Sequence, residues 1–353
     1  MPDRMPSVDR PSAAPRATLR DVARLAGVSV ATASMALRND PRTAEATRAR
    51  VRRAAATLGY VPNSLGRGLR ARRIGSIALV IPHSSDHVVA HPYFLELLAG
   101  VTEVCTELDW MLQVSISRRE VDQETPYLRV VRSRAVDGVI VASAALEDRN
   151  ILQLWASGFP AVFIGRYPHD PRVDAVGVDD VGGARAATDH LIEVHGARRI
   201  AYLAGPPNAL SALDRIEGYR SSLSRWGFVY PEELVLHGAY DQRSGEETCR
   251  ELLRRGGFDA IMAGNDEMAI GALRVLRDAG IRVPEDVPLV GFDDLSAASI
   301  VTPPLTTVHQ PVRELGATAA RRLIALIDAP EQPAVQTQLP VSLVVRRSCG
   351  CNG

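Results

Sequence analysis

Hydrophobic and polar positions divide the chain into three stretches. Residues 1–16 have no hydrophobic periodicity and are rich in Pro, Ser, Ala and Arg, so we expect a disordered arm. From residue 18 to about residue 58, apolar residues recur at helical spacing. From residue 74 onward, short apolar runs alternate with amphipathic segments, and this alternation predicts parallel sheets covered by helices.

The helical stretch predicts two short helices and a third one behind them. Thr18 and Asp21 form a capping box that starts the first helix. Ser29 is a suitable N-cap for a second helix over Val30–Leu37, and a third helix is predicted over 44–58. Two short helices joined by a Gly-containing turn favour a helix-turn-helix, although helical bundles that never touch DNA use the same geometry.

The α/β stretch spans 280 residues and is better divided into two sheets than one. Its predicted strands are 77–81, 111–116, 138–142, 161–164, 200–203, 260–263, 288–291 and 306–309. Its predicted helices are 94–108, 123–133, 150–157, 181–194, 212–226, 244–254, 266–279 and 312–327. Ligands of such sheets bind beyond the carboxyl ends of the strands, and two facing sheets make a cleft for a small polar molecule.

Charge is distributed unevenly along the chain. Residues 1–73 contain 15 Arg and 5 acidic residues, a net charge of +10, and the remainder carries −10. A basic N-terminal part on an acidic body indicates that only the first part approaches a polyanion. Neither a membrane-spanning run nor the apolar core of a signal peptide is present, so the expected location is the cytoplasm, in association with the nucleoid and not with a membrane.

Several motifs of the N-terminal part occur in a characteristic order. They are D-V-A-x-x-A-G-V-S from Asp21, T-x-S from Thr32, L-G-Y-V-P-N from Leu58, and a basic stretch containing Leu69. In this order they resemble the DNA-binding headpiece and hinge of the LacI/GalR family of bacterial transcription regulators. The resemblance implies a hinge that becomes helical when two subunits sit on the operator, with Leu69 wedged into the minor groove.

Four hinge residues are therefore candidates for contact with DNA: Asn63, Arg67, Leu69 and Arg70. Gly66 and Gly68 disfavour a helical hinge, since each glycine destabilises a helix by about 1 kcal/mol relative to Ala. We expect ordering of this hinge to be strongly coupled to DNA binding. The same glycines match a loose dinucleotide fingerprint, but they do not follow a strand as that motif requires.

The predicted recognition helix is unusually apolar. In the family that the chain resembles, base edges are read by the first two residues of the recognition helix and by one residue four to five positions later. Here these residues are Val30, Ala31 and Met35. They cannot form bidentate hydrogen bonds to guanine or adenine, but they can contact thymine methyl groups. Much of the specificity is therefore expected from the Leu69 wedge and from operator deformability. Four neighbours are polar candidates for phosphate or base contacts: Ser29, Thr32, Ser34 and Asn39.

The body carries the motifs A-G-N-D-E-M-A-I-G-A-L, R-V-P-E-D-V-P-L-V-G-F-D-D-L and P-P-L-T-T-V-H-Q-P. They resemble the regulatory core of the same family, which is similar to periplasmic sugar-binding proteins. The resemblance implies that Arg215 clamps an effector, that Asp293 reaches it from the opposite lobe, and that Phe94 stacks on its ring. Phe94 could equally be a core residue. The weaker candidates are Arg166, Ser211, Tyr240 and Asn265.

The predicted fold class is an all-α helix-turn-helix headpiece followed by a periplasmic-binding-protein-like α/β core of two doubly wound parallel-sheet lobes. The segments are an arm at 1–16, a DNA-binding domain at 17–61, a hinge at 62–73, and an effector-binding and dimerisation core at 74–353. Within the core, lobe one is expected at about 74–178 and 309–330. Lobe two is expected at about 179–308 and 335–348.

The predicted function is that of a homodimeric regulator, a repressor, which binds an operator in double-stranded DNA and responds to a small molecule. A sugar is the default effector, and the apolar side chains Ala209, Leu210 and Leu213 leave a less polar metabolite open. An enzyme is disfavoured because no phosphate loop or G-x-S-x-G elbow is present. A transport protein would have a signal peptide and no headpiece.

Two groups of residues raise the question of a metal. His83, His87 and His91 recur every four residues, but flanking prolines argue against a helix and favour a polar pocket rim. Cys349 and Cys351 form a C-x-C pair without a second ligand pair at zinc spacing. The sequence therefore predicts no metal site and no cofactor.

Overall fold

The computed structural model describes residues 17–37, 40–60, 73–84, 88–89, 91–117, 126–142, 153–154, 156–167 and 172–351. The chain divides into two compact units, Met1–Ile74 and Gly75–Gly353. The predicted arm and all of the predicted hinge except Arg73 lie outside the described residues. No described helix combines the length and the apolar character needed to cross a membrane.

The first unit contains the three predicted helices: α1 (Leu19–Leu25), α2 (Val30–Leu37) and α3 (Glu45–Thr57). Its core is made mainly of alanines and valines, whose small side chains let the short helices cross closely. The buried residues are Val22, Ala23, Ala26, Ala33, Ala36, Val51, Ala54 and Ala55.

The second unit contains two sheets, each with six described strands. The first sheet has the order β11-β5-β4-β3-β1-β2. Its strands are β1 (Ser76–Ser84), β2 (Met111–Ser117), β3 (Gly138–Ala142), β4 (Ala161–Ile164), β5 (Ala175–Val178) and β11 (Gln336–Leu339). Every pairing in this sheet is parallel.

The second sheet has the order β12-β10-β9-β8-β6-β7. Its strands are β6 (Ile200–Ala204), β7 (Val235–His237), β8 (Ala260–Ala263), β9 (Leu289–Asp293), β10 (Thr306–His309) and β12 (Ser342–Val344). Only β12 runs antiparallel to its neighbour, with Val308 opposite Leu343. Two doubly wound parallel-sheet lobes were predicted, and this prediction is confirmed.

Helices cover both faces of each sheet. In the first lobe they are α4 (Pro92–Glu107), α5 (Pro126–Ser133) and α10 (Val312–Asp328). In the second lobe they are α6 (Asp180–His195), α7 (Leu210–Arg225), α8 (Gln242–Arg255) and α9 (Asp266–Asp278). Helices α4 and α10 cross closely because of a glycine, since a Cβ at Gly100 of α4 would overlap the backbone carbonyl of Arg313 in α10.

The chain passes between the lobes at three places: between β5 and α6, between β10 and α10, and between β11 and β12. The third crossing corrects the predicted boundary. Residues 335–348 were assigned to lobe two, but Gln336–Leu339 pairs with β5 in the first sheet, and only the part from β12 onward belongs to the second lobe. The alternating polar residues of β11 gave no strand signal because it is an edge strand with an exposed face.

Candidate functional site

The N-terminus of α2 presents a small apolar surface. The Ser29 hydroxyl caps the helix by accepting a hydrogen bond from the Thr32 amide at 3.0 Å, and the Ser29 carbonyl accepts from Ala33 at 2.9 Å. Val30 is 43% exposed and Ala31 is exposed beside it. Two of the predicted base-reading side chains therefore lie at the accessible end of the helix, while Thr32, Ser34 and Met35 are half-buried.

Six of the described arginines of the headpiece form two groups. Arg24, Arg42 and Arg48 are each paired with a nearby carboxylate, from Asp21, Asp40 and Glu45 respectively. A second group consists of exposed side chains on α1 and α3: Arg20, Arg50 and Arg53. The remaining predicted DNA contacts, Asn39, Asn63, Arg67, Leu69 and Arg70, lie outside the described residues.

Arg215 on α7 is the centre of the polar cluster in the second lobe. It is only 5% exposed, and its Nε donates to Asp180 Oδ1 at 2.7 Å. Its Nη1 donates to the Gly264 carbonyl at 2.5 Å, and the guanidinium stacks on the Phe292 ring at 3.7 Å from the centroid. Burial is the largest single influence on Arg215 and lowers its pKa, but Asp180, Tyr240 and Asp293 together raise the pKa by more, so the net shift is upward.

Asp293 is the second acidic partner of Arg215, with Oδ1 3.5 Å from Nη1. It ends β9 in a left-handed conformation with φ of 118°, and Gln310 Nε2 donates to the same oxygen at 2.5 Å. Burial raises the pKa of Asp293 to about 7, although Arg215 acts in the opposite direction. Arg215 and Asp293 both belong to the second lobe, so the prediction that Asp293 reaches the effector from the opposite lobe is wrong.

Three further candidates lie together next to Arg215. Asn265 caps α9 by accepting from the Met268 amide at 2.9 Å, and its Nδ2 donates to the Tyr240 carbonyl at 2.9 Å. Tyr240 has a positive φ of 64°, and its hydroxyl is 3.3 Å from Ser211 Oγ. The Tyr240 ring lies where a Cβ at position 205 would be, and Gly205 is therefore required there. Asn265 holds the phenol beside the Arg215 guanidinium, 5.6 Å from the ring centroid.

Arg166 connects the lobes rather than joining this cluster. It follows β4 in the first lobe and forms a two-point ion pair with Asp214 of α7, in which Nη2 donates to Oδ1 at 2.5 Å and Nε to Oδ2 at 3.0 Å. The Asp214 side chain is 9% exposed and that of Arg166 is 46% exposed. The Arg166–Asp214 ion pair therefore joins the two lobes directly.

Phe94, predicted to stack on the effector ring, has a second aromatic residue, Tyr93, next to it in the chain. Phe94 is 5% exposed and packs in the hydrophobic core of the first lobe. The neighbouring Tyr93 ring lies edge-on to it at 5.4 Å. Burial raises the pKa of Tyr93, and the carboxylates of Asp293 and Asp180 in the second lobe add to the shift. Tyr93 of the first lobe therefore lies within electrostatic range of the acidic cluster.

His83 and His91, predicted as part of a polar pocket rim, differ in burial, since His83 is half-buried and His91 is buried. His91 is 4% exposed and precedes α4 as its N-cap residue, and burial lowers its pKa to about 4. Both imidazoles lie near the Phe94 ring, at centroid distances of 6.0 and 6.2 Å. Neither belongs to a group of metal-binding side chains among the described residues, and His87 lies outside those residues.

Four residues that contact or lie near the polar cluster were not among the predicted site residues: Tyr93, Asp180, Asp214 and Gln310. Asp180 carried a usable signal because it begins the helix that follows β5, but β5 is only four residues long and was not predicted. Asp214 directly precedes the predicted clamp and had no signal of its own. Its significance depends on Arg166, which is 48 positions away.

Comparison with known proteins places these features in a family. A model of bacterial regulatory proteins of the lacI family matches residues 18–63, and a model of the periplasmic binding protein-like domain matches residues 188–349. The HTH-type transcriptional regulator CelR of Thermobifida fusca is 38% identical over 338 residues, which cover 94% of this chain and 98% of CelR. The chain belongs to the lacI family. The ribose operon repressor of Escherichia coli (strain K12) is 33% identical, with 94% of this chain and 99% of the repressor covered.

Solved structures of this family have the same architecture. A complex of the transcriptional regulator CelR with cellobiose has a TM-score of 0.73 at 36% identity, covering 94% of this chain and 100% of that one. The Lac repressor dimer bound to operator and the anti-inducer ONPF has a TM-score of 0.80 at 28% identity, covering 95% and 99%. As a lacI-family member, the chain is a DNA-binding transcription regulator with an effector-binding core, and not an enzyme.

Proposed function

We propose that this regulator is a homodimeric repressor whose operator affinity changes when a small, neutral carbohydrate binds between its lobes. The observation that carries the proposal is the buried cluster of Arg215, Asp180 and Asp293, with Tyr240 and Asn265 beside it. Each sugar hydroxyl both donates and accepts hydrogen bonds. A guanidinium flanked by two carboxyl groups offers donors and acceptors side by side, which suits vicinal hydroxyls.

The charges of the cluster and of the neighbouring Arg166–Asp214 pair favour a neutral effector over a phosphorylated one. Arg166 and Arg215 are each already paired with carboxylates, and three carboxyl groups, those of Asp180, Asp214 and Asp293, oppose the two cations. Among the described residues of this region, the cations counted above leave no excess positive charge to neutralise a phosphate or carboxylate ligand. An anion entering this cluster would meet like charges at short range, which is unfavourable in a buried site.

Aromatic and apolar side chains suit the ring faces of a carbohydrate. Tyr93 from the first lobe lies within electrostatic range of the acidic cluster, Tyr240 lies beside Arg215, and Leu213 is 37% exposed on α7. Carbohydrate-binding clefts combine such surfaces with a few directed polar groups. CelR is named together with cellobiose and the relative in Escherichia coli is a ribose operon repressor, and both are consistent with a neutral sugar here.

On DNA, the two headpieces of a dimer would occupy half-sites of a near-palindromic operator. Val30 and Ala31 would face thymine methyl groups, and Arg20, Arg50 and Arg53 are available for phosphates. Leu69, flanked by Arg67 and Arg70, would provide the wedge at the operator centre. A regulator of bacterial genes acts on the chromosome in the cytoplasm, and we propose association with the nucleoid.

A mobility-shift assay with the DNA upstream of the protein's own gene tests the regulator proposal. We expect a sequence-dependent shift by the dimer, which a subset of neutral sugars alters. Scrambled DNA of the same length and composition is the control. Absence of any sequence-dependent shift, with and without sugars, would contradict the assignment of this chain as a repressor of that region.

A thermal-shift survey separates the effector classes. We expect stabilisation by one or more neutral mono- or disaccharides and none by their phosphorylated forms, since ligands that bind only the folded state raise the unfolding temperature. Purine bases serve as the less polar comparison. Stronger stabilisation by a sugar phosphate than by the parent sugar would contradict the charge argument while leaving DNA binding untouched.

A further inference from the structure

Four metal-binding side chains meet at the far end of α6 from Asp180. His190 and His195 lie in the last two turns of that helix, Cys349 ends the short 3-10 turn Arg347–Cys349, and Cys351 follows two residues later. Cys349 is fully buried, and the other three side chains are half-buried. Each residue offers one ligand atom, and all four atoms lie within 4.8 Å of one another.

The distances between these atoms match the edges of a tetrahedron around one ion. His190 Nε2 and His195 Nε2 are 3.3 Å apart. His190 Nε2 lies 3.4 Å from Cys349 Sγ and 3.8 Å from Cys351 Sγ, and His195 Nε2 lies 3.5 Å from Cys351 Sγ. Zinc–nitrogen bonds of about 2.0–2.1 Å and zinc–sulfur bonds of about 2.3 Å give tetrahedral edges of about 3.4 Å between nitrogens and about 3.6 Å between nitrogen and sulfur.

We propose that His190, His195, Cys349 and Cys351 bind a single zinc ion. Two thiolates and two imidazoles in a tetrahedral arrangement are the ligand set that selects zinc over magnesium, calcium or manganese, which prefer oxygen ligands. Four protein ligands fill the coordination sphere, so this site is structural and leaves no open position for catalysis.

The surroundings hold the cysteine pair in place for such an ion. Thr306 Oγ1 lies 3.1 Å from Cys349 Sγ, as a hydrogen-bonding neighbour of a metal-bound thiolate does. Ser348 Oγ donates to the Leu289 carbonyl at 2.6 Å and accepts from the Thr306 amide at 2.8 Å, which fixes the chain just before Cys349. Gly350 has a φ of 107°, and a Cβ there would be 3.3 Å from the His195 ring, so glycine lets the chain pass over the imidazole.

The site would tie the C-terminal segment to α6. The chain between the two ligand pairs contains most of the second lobe and one crossing into the first lobe and back. The sequence prediction of no metal site rested on the lack of a second ligand pair near Cys349 and Cys351. The structure provides that pair 159 positions away, a separation at which spacing patterns carry no information.

Metal analysis of the full chain tests this proposal. The protein is produced without a polyhistidine tag, purified under reducing conditions and analysed by elemental mass spectrometry. We expect about one zinc ion per chain, and after exchange into cobalt the visible absorption typical of tetrahedral cobalt with thiolate ligands. His195→Ala and Cys351→Ala should each lose most of the bound zinc, while His237→Ala, a histidine elsewhere in the second lobe, should retain it.

Zinc content and the cobalt spectrum of the unaltered chain decide the question even if a variant fails to fold. A reduced, zinc-supplied wild-type protein that contains no stoichiometric zinc would overturn the proposal, and so would a disulfide between Cys349 and Cys351 in protein taken directly from reducing cytoplasm. Retention of zinc by both His195→Ala and Cys351→Ala would also overturn it. None of these outcomes depends on DNA binding or on the sugar site, so the two proposals fail separately.

Discussion

Arg166 of the first lobe and Asp214 of the second are joined by two parallel hydrogen bonds, at 2.5 and 3.0 Å. The hydrogen bond to Asp214 raises the pKa of Arg166, as expected for a charge-assisted pair. Asp214 directly precedes Arg215 on α7, and the same helical turn therefore carries both the inter-lobe ion pair and the proposed effector clamp. A relative movement of the lobes must strain this pair, which couples lobe orientation to the effector site.

Arg166→Gln is expected to weaken effector binding. The ion pair stabilises the lobe arrangement in which the cleft residues are enclosed, and a bound effector needs that arrangement. Because Arg166 is about half exposed, solvent screening limits its contribution, and we expect a loss in effector affinity of about fivefold, or about 1 kcal/mol. Titration calorimetry with the identified sugar measures it. Arg274→Gln removes a similar pair with Glu246 that lies within the second lobe, and should leave the affinity unchanged.

Arg215→Ala is expected to abolish the effector response and to destabilise the protein. The substitution leaves Asp180 and Asp293 buried without their cation, which costs about 3 kcal/mol or more. Urea unfolding measures the stability and the mobility-shift assay measures the response. The double variant Asp180→Asn/Arg215→Met removes charge and partner together, and should recover much of the stability without recovering the response. A double variant that responds normally to effector would exclude Arg215 from the clamp.

Titration of Asp293 is expected to make stability fall as pH rises from about 4 to about 7. Its pKa is raised from 3.8 to about 7 by burial, so the folded state binds the proton more tightly than the unfolded state. This contribution is complete below the unfolded pKa and is lost as pH rises through the folded pKa. Arg215, Asp180 and Glu267 face the same carboxyl group and share the titration.

Asp293→Asn tests this linkage because it keeps the shape and an acceptor for Gln310 while removing the proton equilibrium. Urea unfolding midpoints measured at several pH values should show a flatter profile for the variant than for the wild type. Asp286→Asn is the matched control, since Arg282 holds the pKa of exposed Asp286 down at about 2, outside this window. Parallel profiles for Asp293→Asn and wild type would show that Asp293 is ionised throughout.

Regular elements were the most predictable feature of this chain. The Ser29 N-cap gave α2 with its observed bounds, and uninterrupted apolar runs gave β3, β4 and β8. The undetected strands are β5, β7, β11 and β12, which have three or four residues each, and polar residues interrupt β11. Their pairing depends on neighbours distant in sequence, which a local pattern cannot report.

Site residues were predictable only where a motif carried them. Arg215, Asp293 and Asn265 were predicted because each lies in a recognisable segment, and the structure brings them into one lobe. Phe94 was open to two interpretations, a stacking residue or a core residue, and the structure places it in the core of the first lobe. Asp180 and Asp214 became significant only through contacts made after folding.

Val30→Ala is expected to reduce operator affinity about three- to fivefold by removing methyl groups that face a thymine. Val30 is 43% exposed at the start of α2, and each buried methyl group is worth about 0.8 kcal/mol. Operators obtained by in vitro selection provide the target, and replacing the contacted thymine by uracil removes the partner methyl. The uracil operator should lower the affinity of the wild type by a similar factor and that of Val30→Ala much less, because the two losses share one contact.

Val229→Ala, at an 88% exposed valine of the second lobe, should bind the operator as the wild type does. Additive losses for Val30→Ala and uracil, or a strict guanine requirement under α2, would contradict the methyl contact.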